Sequence, residues 1–246
     1  MNFSKKRILI TGGSSGIGKA VALRMAELGA SVVVVGRDLG RLHEVQNQLS
    51  VLSDDQRHEL VVADLAGVGS SELSEKLDSP VDVVIHSAGV NTKSPLKFIS
   101  SEKLDSVFGI NTFAPMLLMQ SLVKKKMINK GGSVVFVSSI ASDYATLSNG
   151  IYAASKGAID SFVRIAALEL ASQGIRVNAV SPGLVDSRMQ DAYLLEEAVA
   201  EFSKQIPLGR MGKVEDVAES VVFLASESAA WVTGINLVVD GGTTLR

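Results

Sequence analysis

Ile8-Leu-Ile10 running into Thr11-Gly-Gly-Ser-Ser-Gly-Ile-Gly18, with a helical pattern that continues to about Leu28, is the stretch whose reading decides the fold. An apolar run of strand length ends in a glycine-crowded turn, after which the apolar period changes from that of a strand to that of a helix. Glycine lets the backbone turn tightly and approach a ligand, and a helix amino terminus presents unpaired N–H groups and positive potential. Strand, glycine turn and helix in that order make a cradle for an anion, above all a phosphate. Gly12, Ser14, Ser15, Gly16, Ile17 and Gly18 are its candidate contacts.

Working outward, apolar runs of the same kind recur at Val32 to Val35, Leu60 to Ala63, Val81 to Ile85, Val134 to Val137, Val177 to Val180 and Leu237 to Val239, each followed or preceded by a longer segment of helical period. Runs this continuously apolar are strands buried on both faces, and the alternation with helices supplies the cover. The expected fold is α/β: a single Rossmann-type domain over residues 1–246, with a doubly wound, seven-stranded parallel sheet and helices on both faces. Ligands of such folds bind at the strand carboxyl ends.

Composition sets limits on function. The 246 residues are 46% hydrophobic and 20% charged with a formal net charge of -2, so a full core can be buried and no broad electropositive field supports nucleic-acid binding. The chain has no cysteine, which excludes a disulfide framework, a thiol nucleophile and a Cys-based metal site; no metal is expected. The start Met1-Asn-Phe-Ser-Lys-Lys-Arg7 lacks a signal-like apolar stretch, and no run approaches about 18 uninterrupted apolar residues. The expectation is a soluble cytoplasmic protein with a small-molecule partner and no membrane or nucleic acid.

Two readings compete for the glycine turn. Gly13 to Lys19 fits the first seven positions of a P-loop, but Ala20 stands where a magnesium-binding Ser or Thr is needed. A dinucleotide fold instead places its cofactor discriminator after the second strand: an acid for a free ribose 2'-hydroxyl, or an arginine for a 2'-phosphate. Here the residues are Gly36-Arg37-Asp38. Arg37 favours NADP(H), Asp38 keeps NAD(H) open, and Asp38 also reads as the N-cap of the next helix.

Tyr152 and Lys156 in Tyr152-Ala-Ala-Ser-Lys156 share a helix face, and Ser139 lies thirteen residues upstream of the tyrosine at the end of a strand run. A tyrosine, with a reference pKa of about 10, needs a device that stabilises its phenolate before it can act as a general acid/base near neutrality. An ammonium one turn away is such a device, and Ser139 is placed to hold a substrate oxygen. Tyr144 lacks this partner, since Ser148 lies four residues on, and reads as pocket lining. Asn111 and Pro115 are four apart in a helical pattern from about Ser101 to Met127, and proline has no N–H for the Asn111 carbonyl. Either the freed carbonyl holds a relay water or the proline only bends the helix.

Taken together, these residues resemble the short-chain dehydrogenase/reductase family over nearly the whole chain. Thr11 to Gly18 matches its TGxxxGxG, His86-Ser-Ala-Gly89 stands at its NNAG, and Asn111, Ser139, Tyr152 and Lys156 match its catalytic positions, with Pro182-Gly183 and Asp240-Gly-Gly242 fitting later signatures. The resemblance implies an NAD(P)-dependent oxidoreductase acting reversibly on a ketone or secondary alcohol. In it Tyr152 is the acid/base, Ser139 orients the carbonyl, Lys156 bonds the nicotinamide ribose and lowers the tyrosine pKa, and Asn111 holds a relay water. It further implies cofactor contacts at Asp64, Leu65, Ala88, Gly89, Pro182, Gly183, Val185 and Ser187.

The chain departs from the family at His86-Ser87, where two asparagines are usual, and at Ser187, where threonine is; the segment from Ala66 to Ser79 is short for the family's third helix. His86 reads as structural rather than catalytic. A protein kept only for nucleotide sensing or scaffolding would be expected to have lost a catalytic group, and none is lost. The substrate lid is expected at 184–206, and Ile140, Tyr144, Leu184, Met189 and Tyr193 are expected to line the substrate pocket. Within the family the resemblance is to 3-oxoacyl-[acyl-carrier-protein] reductases. Lys130 matches one carrier-docking position but Gln173 replaces the other, so an acyl-carrier protein has weak support as a partner, beside sugar ketones and polyols. The helix from Tyr152 to Leu170 carries Lys156, Asp160 and Arg164 on one stripe and is otherwise mostly apolar or small, which implies cover by a second subunit. The resemblance implies a homotetramer.

Overall fold

The structure is a computed structural model and describes residues 1–66, 72–186 and 203–245. Its centre is a seven-stranded sheet of β1 (Arg7–Thr11), β2 (Ser31–Gly36), β3 (Glu59–Val62), β4 (Val81–His86), β5 (Ile128–Val137), β6 (Arg176–Pro182) and β9 (Asn236–Val239). The spatial order is β3-β2-β1-β4-β5-β6-β9 with every pairing parallel. All seven expected strand runs are therefore found. Strand order runs outward in both directions from the β1–β4 junction, the switch point at which such sheets open a crevice at their carboxyl ends.

The period of two along each strand divides the core into halves. Leu9, Val33, Val35, Val84, Val134 and Phe136 face one way, against α4 (Ala114–Lys124) and α5 (Gly150–Leu170). Ile8, Ile10, Val32, Val34, Ile85 and Val135 face the other, against α1 (Gly16–Glu27), α2 (Leu39–Gln46) and α6 (Val214–Ala225). Each fully buried Val, Leu or Ile contributes about 1.5–3 kcal/mol, so runs of unbroken valine suit a sheet covered on both sides. A short pair, β7 (Val185–Asp186) with β8 (Gly212–Lys213), joins the two ends of the region that contains the expected lid.

β6 is fastened by its polar residues. Arg176 Nη1 donates to the Leu224 carbonyl at 2.7 Å and Nη2 to Ser226 at 3.1 Å, so a guanidinium satisfies the carboxyl end of α6. Asn178 donates to Val232 and accepts from the Ile235 N–H, which fixes the connection into β9. At the opposite end of the sheet Arg7 ties β1 to β3 through Glu59 at 2.8 Å and to Asp78 at 2.8 Å.

Three local expectations are modified. The helical pattern expected from about Ser101 to Met127 is α3 (Ser101–Phe108), a π segment over Gly109–Phe113, and α4. Asn111 sits inside the π segment with Pro115 just beyond it, so the bend is made by widening the helix at the proline rather than by a simple kink. By length and composition alone the 24-residue run from Ser101 to Lys124 could cross a membrane; here Val107, Leu118, Met119 and Leu122 on it are buried in the protein. β5 begins earlier than Val134, and six of its residues, Ile128 to Ser133, stand against three of β4, Val81 to Val83. In the short third-helix segment, the described residues form a 3-10 turn at Leu73–Glu75.

Candidate active site

The glycine turn lies at the carboxyl end of β1 as expected. Gly12 has φ +68, and a Cβ there would come within 2.7 Å of the Ala88 backbone, so the two strand ends can approach only because position 12 is glycine. A Cβ on Gly18 would overlap the Gly12 carbonyl, which closes the turn onto α1. Ser15 is the extended N-cap of α1 but makes no side-chain capping bond. Gly12, Ser14, Ser15, Gly16 and Ile17 all line a cleft of about 1580 Å³ that runs along the carboxyl ends of the strands.

At the β2 end of the cleft stand Arg37, Asp38 and Arg41. Asp38 caps α2, accepting from the Arg41 N–H at 3.1 Å, and its other oxygen lies 3.7 Å from Arg41 Nε. The N-cap reading of Asp38 therefore holds, and its charge is faced by an arginine of its own helix. No local motif marks Arg41, although it lies one turn beyond Arg37 and Asp38 on the face that α2 must present to them. Further along, Asp64, Leu65, Ala88 and Gly89 line the wall, then Pro182, Gly183 and Val185. Asp64 accepts from the Ala66 N–H at 3.1 Å, which shapes its own turn.

The chemistry-bearing groups meet at the ends of β4 and β5. Lys156 is buried on α5, and its Nζ donates to the Val137 carbonyl at 2.7 Å while lying 5.7 Å from the Tyr152 ring centroid. Ser139 follows β5 and caps a 3-10 turn, its Oγ accepting from the Ala141 N–H at 3.2 Å. Ser139, Tyr152 and Lys156 line the cleft together. Asn111 stands behind them. Its Oδ1 accepts from the Val90 N–H at 2.8 Å, and its Nδ2 donates to the Val90 carbonyl at 2.9 Å and to Ser155 Oγ at 3.0 Å. That side chain braces the β4 loop against α5.

Electrostatics follow from burial. Desolvation lowers Lys156 to about 8, partly opposed by the carboxylate of Asp160 one turn on. Burial pushes the Tyr152 phenol up, and its hydrogen bond with Ser139 acts in the opposite direction. The expectation that the ammonium lowers the tyrosine is thus not met by these groups alone: burial dominates, and Lys156 is hydrogen-bonded to a carbonyl with its Nζ 5.7 Å from the ring centroid. The expected stripe of Lys156, Asp160 and Arg164 is likewise divided: the first two are buried beside the site and only Arg164 is exposed.

Comparison with known proteins agrees with this arrangement. A family profile described as enoyl-(acyl carrier protein) reductase matches residues 12–244. A glucose 1-dehydrogenase from Gluconobacter oxydans is 34% identical over an alignment of 249 residues, covering 99% of this chain and 93% of that protein. The chain belongs to the short-chain dehydrogenase/reductase family. Another member, named 3-oxoacyl-[acyl-carrier-protein] reductase FabG in Rickettsia felis, is 34% identical over 243 residues with 98% of each chain covered. A crystal structure from Beutenbergia cavernae, described as that of a candidate NAD(P)-dependent gluconate 5-dehydrogenase with NADP bound at low occupancy, superposes with a TM-score of 0.91 at 32% identity and covers 100% of this chain and 99% of its own.

Within this short-chain dehydrogenase/reductase most of the expected positions come together. Of the expected cofactor-side residues, Gly18 does not line the cleft but packs beneath the turn. Of the expected substrate-side residues, Ile140, Tyr144 and Leu184 line the cleft, whereas Met189 and Tyr193, like Ser187, lie outside the described residues. Asn91, Lys93, Thr146, Asn149, Lys204 and Gln205 also line it and were not expected. Asn91, Lys93, Thr146 and Asn149 lie on connections without periodic pattern, where sequence carries no orientation signal, whereas Lys204 and Gln205 are helical and fall within the expected lid.

Proposed function

We propose that this chain is a nicotinamide-dependent oxidoreductase, NADP(H) favoured over NAD(H), that interconverts a ketone and a secondary alcohol. The observation that carries the reading is the convergence of Ser139, Tyr152 and Lys156 on one wall of the cleft whose other end is the glycine cradle. The residues present fit a dinucleotide. Gly12 and Gly16 have no side chain where a pyrophosphate must approach, the first N–H groups of α1 offer it bonds, and Arg37 and Arg41 supply positive charge at the ribose end.

When bound, the nicotinamide supplies or accepts the hydride at the substrate carbon. Tyr152 gives its proton to the carbonyl oxygen in reduction and takes it back in oxidation. Ser139 donates to the same oxygen and stabilises its developing charge. Lys156 would bond the nicotinamide ribose, and its ammonium would favour the phenolate when the proton leaves. Asn111 fixes the β4 loop and offers its carbonyl to a relay water.

Ketone or alcohol chemistry is favoured over enoyl reduction by the Tyr152-xxx-Lys156 spacing itself. The names of the relatives extend from sugars to carrier-bound acyl groups, and the polar side chains at the substrate end of this cleft agree with the first. A panel of sugar ketones, polyols and 3-oxoacyl thioesters, each assayed with NADPH and NADH, tests the class; binding of cofactor without turnover of any of them would overturn it.

A cytoplasmic homotetramer is part of the same proposal. On α5, Ile165 is 56% exposed and Leu168 76% exposed, opposite the buried Val163, Ala166 and Ala167. An apolar stripe of that kind suits a second subunit. Sedimentation that gave a monomer at every concentration would contradict it.

A further inference from the structure

His86 stands where the family has asparagine, at the carboxyl end of β4, and it borders a second cavity. That cavity, of about 10 Å³, adjoins the main cleft and shares Lys156, Val137 and Ala88 with it. Its polar lining is Thr11, His86, Asn111 and Lys156, with Pro115 and apolar side chains completing the wall. The volume is that of a single water. His86 is buried, its ring stacked on Phe136 with centroids 4.5 Å apart and planes 16° from parallel, and its Nε2 has no hydrogen-bond partner among the described residues.

The neighbouring groups have matching valences left. The Asn111 side chain is saturated by Val90 and Ser155 and leaves the cavity to the others. Lys156 carries three N–H donors, one of which goes to Val137. We propose that one water occupies this cavity, donating to His86 Nε2 and accepting from the Lys156 ammonium, so that His86 is a positioning residue for Lys156. Two to four polar partners are the usual complement of a buried water. The proposal rests on the reading of Tyr152 and Lys156 as the proton-transfer pair.

Nε2 as acceptor fixes the tautomer, with the proton on Nδ1. Burial holds His86 to about 3, so the ring stays neutral in any assay and acts only through its neighbour. The ionisable groups lining the cavity are His86 and Lys156, and Asp160, one turn on along α5, acts on Lys156 from outside it. A water that accepts from the ammonium stabilises its charge, and without it Lys156 loses its proton at lower pH.

The test uses His86→Phe, which keeps a ring to stack on Phe136 and removes the acceptor, and His86→Gln, which restores an amide at the reach of Nε2. For His86→Phe the expected result is a fall of about tenfold in kcat at unchanged KM, with the alkaline limb of the pH profile moved down by about one unit. His86→Gln should recover most of both. A high-resolution crystal structure of the wild-type protein should place a water within hydrogen-bonding distance of Nε2. Unchanged kcat and pH profile in His86→Phe, or no water on Nε2, would overturn the proposal; if His86→Phe does not fold, His86→Gln and the wild-type water decide it. Tyr152→Phe separately tests the underlying reading: full turnover there would remove the proton-transfer pair, while the water on Nε2 is observed independently of turnover.

Discussion

Lys156 Nζ donates to the carbonyl of Val137 at 2.7 Å, a bond that ties the middle of one helix to the end of the strand leading into Ser139. The ammonium is thereby held inside the protein at the floor of the cleft. Its position is set by a backbone group that any sequence would provide, and its chemistry by the burial that surrounds it.

That burial has a thermodynamic consequence. Lys156 is lowered from 10.5 to about 8, so between those values the unfolded chain holds a proton that the folded one does not, and stability rises with pH through that window. Below about 8 the cost of the buried charge is fully present. Lys156→Met is therefore expected to abolish turnover while raising stability at neutral pH by about 1–3 kcal/mol, the lost attraction to Asp160 offsetting part of the gain. Denaturant melts at pH 7 and at pH 10 check it, with the gain shrinking at the higher pH.

Cofactor preference is expected to reside in two arginines. Arg37→Ala and Arg41→Ala should each weaken NADPH binding about 10- to 100-fold, the worth of a charge-assisted hydrogen bond, and leave NADH binding nearly unchanged. Asp38→Ala should instead cost about 1 kcal/mol of stability through loss of the α2 cap. Fluorescence titration with the two cofactors separates these outcomes.

Most of the fold could be read from the chain because its signals are local. Val32 to Val35 is apolar at every position, which is meaningful only for a strand covered on both faces, and the turn from Thr11 to Gly18 has a single backbone solution. Tyr152 and Lys156 were legible for the same reason, through the fixed spacing of a helix. What could not be read depends on the third dimension. Arg41 acquires its place from where α2 lies, and the direction of the Tyr152 shift depends on how deeply the phenol is buried and where Lys156 points. The π segment around Asn111 was visible only as a proline in a helical pattern, which says that the helix is disturbed but not how.

His86 is expected to mark the acid limit of the fold. It is held neutral to about 3, far below its ordinary 6.5, so the unfolded chain binds a proton that the folded one excludes. Stability is full above about 6.5 and falls as pH drops from there toward 3, by about 1.4 kcal/mol per unit at most. In His86→Gln that slope should flatten, as chemical denaturation at pH 4 and at pH 7 will show.

Arg176 gives a control remote from the chemistry. Arg176→Met removes the bonds to Leu224 and Ser226 at the end of α6 and should cost about 1–3 kcal/mol of stability. Turnover below the melting temperature should be unaltered, since the guanidinium does not line the cleft.

The central claim is that Tyr152 moves the proton that accompanies hydride transfer. Its most direct test is NADPH consumption by wild-type protein and by Tyr152→Phe, across the panel of sugar ketones and 3-oxoacyl thioesters, with cofactor binding measured on both. The wild type should turn over at least one carbonyl, and the variant should lose about 10²–10⁴-fold or more at retained NADPH affinity. Equal turnover by the two proteins, or bound NADPH with no carbonyl reduced by either, would contradict it.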